Sequence, residues 1–359
     1  MEVKLIQDKT GFFDLKEEWE LLQEKANQIT FYNTFHFLFN WWDIYSVEKS
    51  CELFLICISE KGKLIGIAPL MIERRRFLLV SYKVLKFIGR ADFLNVIIDK
   101  DTKAQSVLKK MFETINASNL WDKLELTHIS QNSDLAHFCF KSELYNRSFE
   151  NLGENPTLDI GQSQEFSSYK KGFFKKNINY YHNKLKKDFD ATLEIVPGNR
   201  AGLLNQIATV HKNRNKSSGD RRSLFEDPTT FNFVKRIYDD GSTMTFLLKS
   251  KDNEIISYAT CYVYNRVVHN WNTSFNLNYR DYSAGDLIYY ELIKYCFEHR
   301  DEIKSIDFGA GRYPWKFRLT NSFFYTYKLN QNNKKSKKYH FLEFYDKAFK
   351  IGKIVLNKK

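Results

Sequence analysis

Glycine and proline are scarce, at 15 and 5 of 359 residues, so long elements joined by few flexible linkers are expected. Cysteine is equally sparse. Cys51, Cys57, Cys139, Cys261 and Cys296 are odd in number and widely scattered, with no Cys-x-x-Cys pair and no matching histidine cluster. That pattern argues against a disulfide framework and against a zinc site; a reducing cytoplasm fits it, and no metal is expected. No apolar run reaches the length needed to cross a bilayer. The first residues, MEVKLIQDKTGFFDLKEEWE, carry acids where a signal peptide needs an apolar stretch, so export by that route is not expected either.

Acidic residues are also in deficit, 43 against 55 lysines and arginines, for a net charge of +12. The excess favours anionic partners such as CoA phosphates, nucleic acid, acidic carrier proteins or anionic lipid, without choosing among them. What the chain has in quantity is apolar and aromatic side chains, 43% and 16%, which mark a folded protein long enough for two ordinary domains.

Residues 53–72, LFLICISEKGKLIGIAPLMI, place apolar runs on both sides of Glu60-Lys61-Gly62-Lys63 and predict two antiparallel strands around a tight turn. Residues 244–264, MTFLLKSKDNEIISYATCYVY, repeat the form around Lys251-Asp252-Asn253-Glu254. A helical pattern at 103–116 leads into a strand at 124–128, and another at 285–299 leads into a strand at 305–308. The second set follows the first by about 180 to 190 residues, so two copies of one mixed α/β unit are expected, each a mostly antiparallel sheet with a late helix and a following strand.

The copies differ at the start of the late helix. Copy one enters it through Asp99-Lys100-Asp101-Thr102, whose carboxylates repel a phosphate. Copy two uses Ser283-Ala284-Gly285 after Arg280, small residues where the unpaired N–H groups of a helix start point outward. Such a start holds a pyrophosphate or is simply an N-cap. Between the copies, residues 166–189 carry seven lysines from Lys170 to Lys187 and no acid before Asp188. This predicts a basic helical bridge, either a solvated face with Phe173, Phe174, Ile178, Tyr181 and Leu185 inward or an anion-binding element. No nucleic-acid-binding signature accompanies it, and nucleic acid is not an expected partner. The tail, residues 334–359, places Phe341, Phe344, Tyr345, Ala348, Ile351 and Val355 near one helical face, with Lys347, Lys350 and Lys353 elsewhere. It is expected to dock on the second domain or to lie on an anionic membrane surface.

The segments IGIAPLMI (65–72), KFIGRADFLNVIID (86–99), YKKGFFKKNINYYHNKLKK (169–187), SAGDL (283–287) and DFGAGRYPWKFR (307–318) together resemble the CelD/BcsL-type acetyltransferases of the GNAT superfamily, which are distantly similar to the FemX-type tandem transferases. The resemblance covers about residues 30–330 in the family's order. It implies an α/β (α+β) chain of two tandem GNAT-like domains, each a mixed, mostly antiparallel sheet flanked by helices. Residues 1–160 would form a degenerate N-terminal domain on the acceptor side. Residues 161–330 would form a C-terminal domain with an acyl-CoA site, entered by the basic helix 166–189, and 331–359 a basic amphipathic helix. The superfamily's phosphate loop, Arg/Gln-x-x-Gly-x-Gly/Ala, is matched by Arg280 to Gly285 with one glycine only.

Acyl transfer to an amine needs a proton acceptor, donors for the developing oxyanion and a proton source for the thiolate. With an acyl-CoA (acetyl-CoA or longer) as co-substrate, Arg280, Ser283, Ala284, Gly285 and Asp286 are the expected phosphate contacts. Backbone N–H groups around Trp271, Asn272 and Thr273 would take the thioester oxygen. Asp307 or His211 would take the amine proton and Tyr313 would protonate the thiolate; the alternatives are that Asp307 braces the glycine turn, His211 is a surface helix residue and Tyr313 is packing. Lys316 and Arg318 lie two apart in the segment resembling the family's Tyr-Lys motif, here Trp315-Lys316. In an extended strand they would share one side and meet an anionic acceptor or a CoA phosphate, or else form an exposed basic edge. In copy one, Arg90 and Asp92 are acceptor contacts or an ordinary turn. The implied function is N-acylation of a small amine acceptor, an amino sugar or related precursor of surface polysaccharide or lipid, in the cytoplasm or at the inner face of the membrane through 334–359. Alternatives are an acyl-carrier-protein-dependent long-chain transferase, a FemX-like aminoacyl-tRNA-dependent transferase, and a non-catalytic scaffold.

Overall fold

The computed structural model describes residues 1–48, 50–161, 165–174, 177–218 and 222–356, with side chains omitted at 217, 218 and 348–356. It divides into two compact units, Met1–Leu152 with Tyr325–Lys359, and Gly153–Phe324.

In the first unit, β1 (Glu2–Ile6) is followed by α1 (Lys9–Asp14), α2 (Lys16–Lys25) and α3 (Phe35–Tyr45). Then come β2 (Cys51–Glu60), β3 (Lys63–Phe77), β4 (Val80–Phe87), the short β5 (Ile97–Ile98), α4 (Ala104–Ala117), β6 (Lys123–Ser130) and α5 (Asp134–Lys141). The expected hairpin is β2–β3, whose turn places Lys61 and Gly62 at positive φ, 51° and 74°. Strands β1 to β4 pair antiparallel in succession, and β6 then joins β4 in parallel. A parallel neighbour requires a crossover, and α4 supplies it. Its Val107, Leu108, Met111, Phe112 and Ile115 are buried in one cluster with β2, β3 and β6, which explains why Leu64–Ile72 reads as a nearly continuous apolar run.

The second unit repeats this order. The strand β7 (Phe149–Asp159) leads into it, followed by α6 (Phe166–Phe173), α7 (Ile178–Phe189), β8 (Thr192–Pro197), α8 (Leu203–Ser218) and α9 (Pro228–Tyr238). Next are β9 (Thr243–Lys249), β10 (Ile255–Tyr264), β11 (Val267–Phe275), α10 (Ala284–Glu298) and β12 (Ser305–Asp307). Strands β8 to β11 are antiparallel neighbours, β12 is parallel to β11, and β7 closes the sheet antiparallel to β12. In the first unit the equivalent closing strand is β13 (Phe323–Asn332), antiparallel to β6. Each sheet thus pairs with a strand far away in sequence, β6 with β13 and β12 with β7.

Three expectations change. The sequence divisions at 160 and 330 become 152 and 324, because β7 and β13 pass from one unit to the other. The basic bridge is two helices, α6 and α7; Lys175 and Lys176 lie outside the described residues, while Ile178 and Leu185 are buried and Phe173, Phe174 and Tyr181 pack on the same core. The tail helix α11 (Tyr339–Leu356) belongs to the first unit rather than the second, since β13 delivers the chain beside β6. Its Leu342 is buried with Tyr82 and Val84 of β4, and Lys123 donates to Asp346 at 2.6 Å. Ala348, Lys350, Ile351, Lys353 and Val355 lie outside the described side chains.

Candidate active site

The parallel pairing of β11 with β12 ends at His269 opposite Asp307, so from Asn270 onward β11 has a partner on one side only. The Asn276 N–H donates to the Ile256 carbonyl at 2.8 Å. Because bonded and non-bonded pairs alternate in an antiparallel ladder, Ser274 and Asn272 turn their backbone groups toward β10, while Thr273 and Phe275 turn theirs to the open side. A β-bulge between the Asn270 and Asn272 pairings leaves Trp271 extra and kinks the strand here.

The open edge borders a cleft of about 670 Å³, within the range of small-ligand sites. Gly285, Asp286 and Tyr289 of α10 line it, with Phe173, Phe174, Ile178 and Tyr181 of α6–α7, Trp315 and Arg318, and on the other side His211, Arg214, Arg222 and Ser274. Ser283 precedes α10 in the left-handed conformation, φ 51°, and its hydroxyl makes no capping bond. No acceptor within the described residues takes the N–H of Ala284 or Gly285, so these donors remain open to an anion. Gly285 packs tightly: a Cβ there would come within 3.3 Å of Phe275 Cδ1, so the ring would have to shift by a few tenths of an ångström to admit it.

Electrostatically the cleft is cationic. Arg318 reaches Asp286 at 3.4 Å, which leaves that pair near neutral. Arg214 differs: its guanidinium lies 4.2 Å from the Phe275 ring centroid, and among the described residues it has no carboxylate partner. Burial pushes its pKa down, the expected direction for a charge partly removed from water. His211, one helical turn before it, sits 2.8 Å from Ser223 Oγ through Nδ1. Burial, and then the neighbouring Arg214, lower its pKa to about 4, so its imidazole is neutral at pH 7. The buried Ser274 Oγ finds no hydrogen-bond partner among the described residues. Tyr289 is buried one turn into α10; Asn270 Nδ2 donates to its hydroxyl at 3.1 Å, and it donates to Thr273 Oγ1 at 3.1 Å. Burial raises its pKa, keeping the phenol protonated.

Of the sequence-derived residues, His211, Thr273, Ser283, Gly285, Asp286 and Arg318 line the cleft, and Ala284 contributes its N–H. The others do not. Asp307 is buried, with Oδ2 2.8 Å from His269 Nδ1 and Oδ1 accepting from the Gly309 N–H at 2.8 Å, so it braces the glycine turn. Tyr313 is exposed beside Gly311. Arg280 is exposed, and its carbonyl accepts the Ser283 N–H. Trp271 packs among Phe225, Tyr238 and Tyr262, and Asn272 accepts the Tyr258 hydroxyl proton. Lys316 and Arg318 form a 3-10 turn instead of an extended strand, which turns Lys316 inward; its ammonium donates to the Gly309 and Ala310 carbonyls, each at 2.8 Å. Arg90 and Asp92 lie between β4 and β5 of the first unit, Asp92 close enough to oppose the burial-driven lowering of the His128 pKa. Sequence reasoning missed Arg214, Arg222, Ser274 and Tyr289. Arg214 was accessible through its i,i+3 spacing from His211, and Tyr289 through its i,i+4 spacing from Gly285; the burial of Ser274 left no sequence signal.

No curated protein sequence matches the chain. In solved structures it is similar to FemX, with TM-score 0.59 and 13% identity over 92% of this chain and 98% of that one. It is similar to L-PGS from Bacillus licheniformis, with TM-score 0.52 and 14% identity over 89% and 93%. A tandem GNAT protein from the clavulanic acid biosynthesis pathway gives TM-score 0.50 and 9% identity over 92% and 98%. At these identities the likeness is one of fold. Residues 172–317 match the family model described as an acetyltransferase (GNAT) domain. This match lies within the second unit and, together with the likeness of fold, supports an N-acyltransferase.

Proposed function

We propose that the protein transfers an acyl group from acyl-CoA to the amine of an anionic acceptor, with a nucleotide- or phosphate-linked amino sugar as the acceptor class. The observation that carries this is the pairing, in one cleft, of open N–H groups at the α10 start with an Arg214 that has no carboxylate partner among the described residues. The Ala284 and Gly285 N–H groups and Arg318 take the pyrophosphate, and the Thr273 carbonyl with the Phe275 backbone on the open strand edge bonds the amides of the pantetheine arm. Arg214 and Arg222, on the α8 side, meet the acceptor's anion, and Ser274 offers it a hydroxyl. Neutral His211 accepts the amine proton, the Thr273 N–H receives the thioester oxygen as charge develops, and Tyr289, still protonated, donates to the departing sulfur. The resemblance to CelD/BcsL-type enzymes supports a role in surface-polysaccharide or lipid synthesis.

Native mass spectrometry against acetyl-CoA, longer acyl-CoAs and CoA, followed by an acceptor screen, tests this. A thioester adduct lost in Gly285→Glu, with turnover of phosphorylated amino sugars, is expected. No adduct with any of these donors sinks the CoA assignment. The lysine-rich α6–α7 pair beside the cleft supports acyl carrier protein as an alternative donor, and turnover with that donor alone would select it. Aminoacyl-tRNA belongs in the same panel, since the net charge of +12 also suits it.

A further inference from the structure

The first unit presents an apolar point unrelated to the cleft. Strands β3 and β4 pair through Phe77 opposite Val80, so Leu78 and Leu79 form a two-residue turn. Leu78 is 74% and Leu79 87% exposed. Two-residue hairpin turns usually place glycine, asparagine or aspartate here. Instead Leu78 holds φ 52°, a conformation unfavourable for a bulky residue, and Arg76 Nε donates to its carbonyl oxygen at 3.0 Å to fix it. A strained leucine that a polar residue would relieve points to a use for its exposed side chain.

The surroundings are basic and apolar together. Three arginines, Arg74 to Arg76, immediately precede the turn. Arg75 is paired with Glu73 and Glu125, and Arg74 with Glu52, but Arg76 has no carboxylate at ion-pair distance among the described residues. Helix α11 stands beside the hairpin: the Tyr345 ring lies 4.2 Å and the Phe341 ring 6.2 Å from Phe77. Its Phe344 is 73% exposed, and Lys347 follows one turn after. A second protein would be expected to meet such leucines with a shaped groove. A bilayer needs only apolar tips at acyl depth with cations at headgroup level, which this hairpin supplies.

We propose that the β3–β4 turn, with the exposed Phe344 of α11, docks the protein on an anionic bilayer surface, Leu78 and Leu79 entering the interface and Arg76 meeting the headgroups. The contact is peripheral: no helix among the described residues is long and apolar enough to cross a membrane. Sedimentation of the full chain with phosphatidylcholine vesicles, with and without phosphatidylglycerol, is the test. Binding is expected with the anionic lipid and should weaken as salt rises. Leu78→Ser with Leu79→Ser should lower the vesicle-bound partition constant about tenfold or more, and Arg76→Gln about fivefold. Both sites are exposed, and unchanged thermal unfolding of the variants would verify their folds. Failure of the unaltered protein to bind anionic vesicles overturns the proposal without reference to any variant. So does full binding by the double leucine variant. Self-association through the turn, seen in light scattering as an oligomer that the leucine variant abolishes while vesicles stay unbound, would likewise overturn it.

Discussion

Replacing Arg214 with Met keeps the aliphatic stem and removes the charge, and the structure predicts opposite effects on activity and stability. A hydrogen bond to a charged group contributes about 1.5–3 kcal/mol, so loss of one such bond to the acceptor lowers kcat/KM by roughly 10- to 150-fold. Stability should not fall in step. The contact with the Phe275 ring, 4.2 Å to its centroid, is worth about 0.5–2 kcal/mol. Against that stands the cost of holding a guanidinium half-buried with no carboxylate partner among the described residues, which removal relieves. The two offset, so the melting temperature should stay within about 4 °C of the parent or rise. Steady-state kinetics with a phosphorylated and an uncharged amine acceptor, alongside calorimetry, measures both. The penalty should fall on the phosphorylated acceptor. Equal losses for both acceptors, a rise in KM confined to acyl-CoA, or a melting point lowered well beyond that window would each refute the assignment of Arg214 to the acceptor.

Other perturbations separate roles within the same unit. If neutral His211 is the proton acceptor, its limb in the pH dependence of kcat/KM should fall near pH 4, leaving the rate flat with respect to this group from pH 5 to 8; a limb near 6.5 that His211→Asn removes would contradict this. Asp307→Asn should cost about 1.5–3 kcal/mol of stability, since Asp307 braces His269 and the Gly309 N–H, whereas a rate loss of about 100-fold or more with melting unchanged would restore it as a base. His182 on α7 lies 3.1 Å from the buried Glu291 of α10, and that hydrogen bond raises its pKa above 6.5. A raised folded-state value means the stabilisation is full below 6.5 and is lost as pH rises through the folded pKa. The melting temperature of the parent relative to His182→Gln should therefore fall between pH 6 and pH 9, and a constant difference would count against the pair. Gly285→Ala should weaken acyl-CoA binding, because its Cβ meets Phe275 at 3.3 Å; unchanged affinity by titration calorimetry would remove the steric argument.

The sequence by itself determined the local elements and their repetition. Alternating apolar runs around Lys61-Gly62 and around 251–254 could only satisfy their backbone groups as hairpins, and the apolar spacing of 285–299 could only bury as a helix. It also located the α10 start, because small residues before an apolar helical pattern mark a terminus wherever they occur. The tertiary structure decided which charges are spent. Asp307 and Lys316 look like reactive groups in the sequence, yet contacts with His269, Gly309 and Ala310 engage them. Arg214 looked like one basic residue among many, and only folding removed it partly from water without an acid beside it among the described residues. Closure of each sheet by β7 or β13 belongs to the same class, since it pairs Asp159 with Ser305 and Asn332 with Lys123 across more than a hundred residues of chain. Local periodicity reports what a segment must bury; the compensation of a buried charge depends on neighbours that only the folded chain brings together.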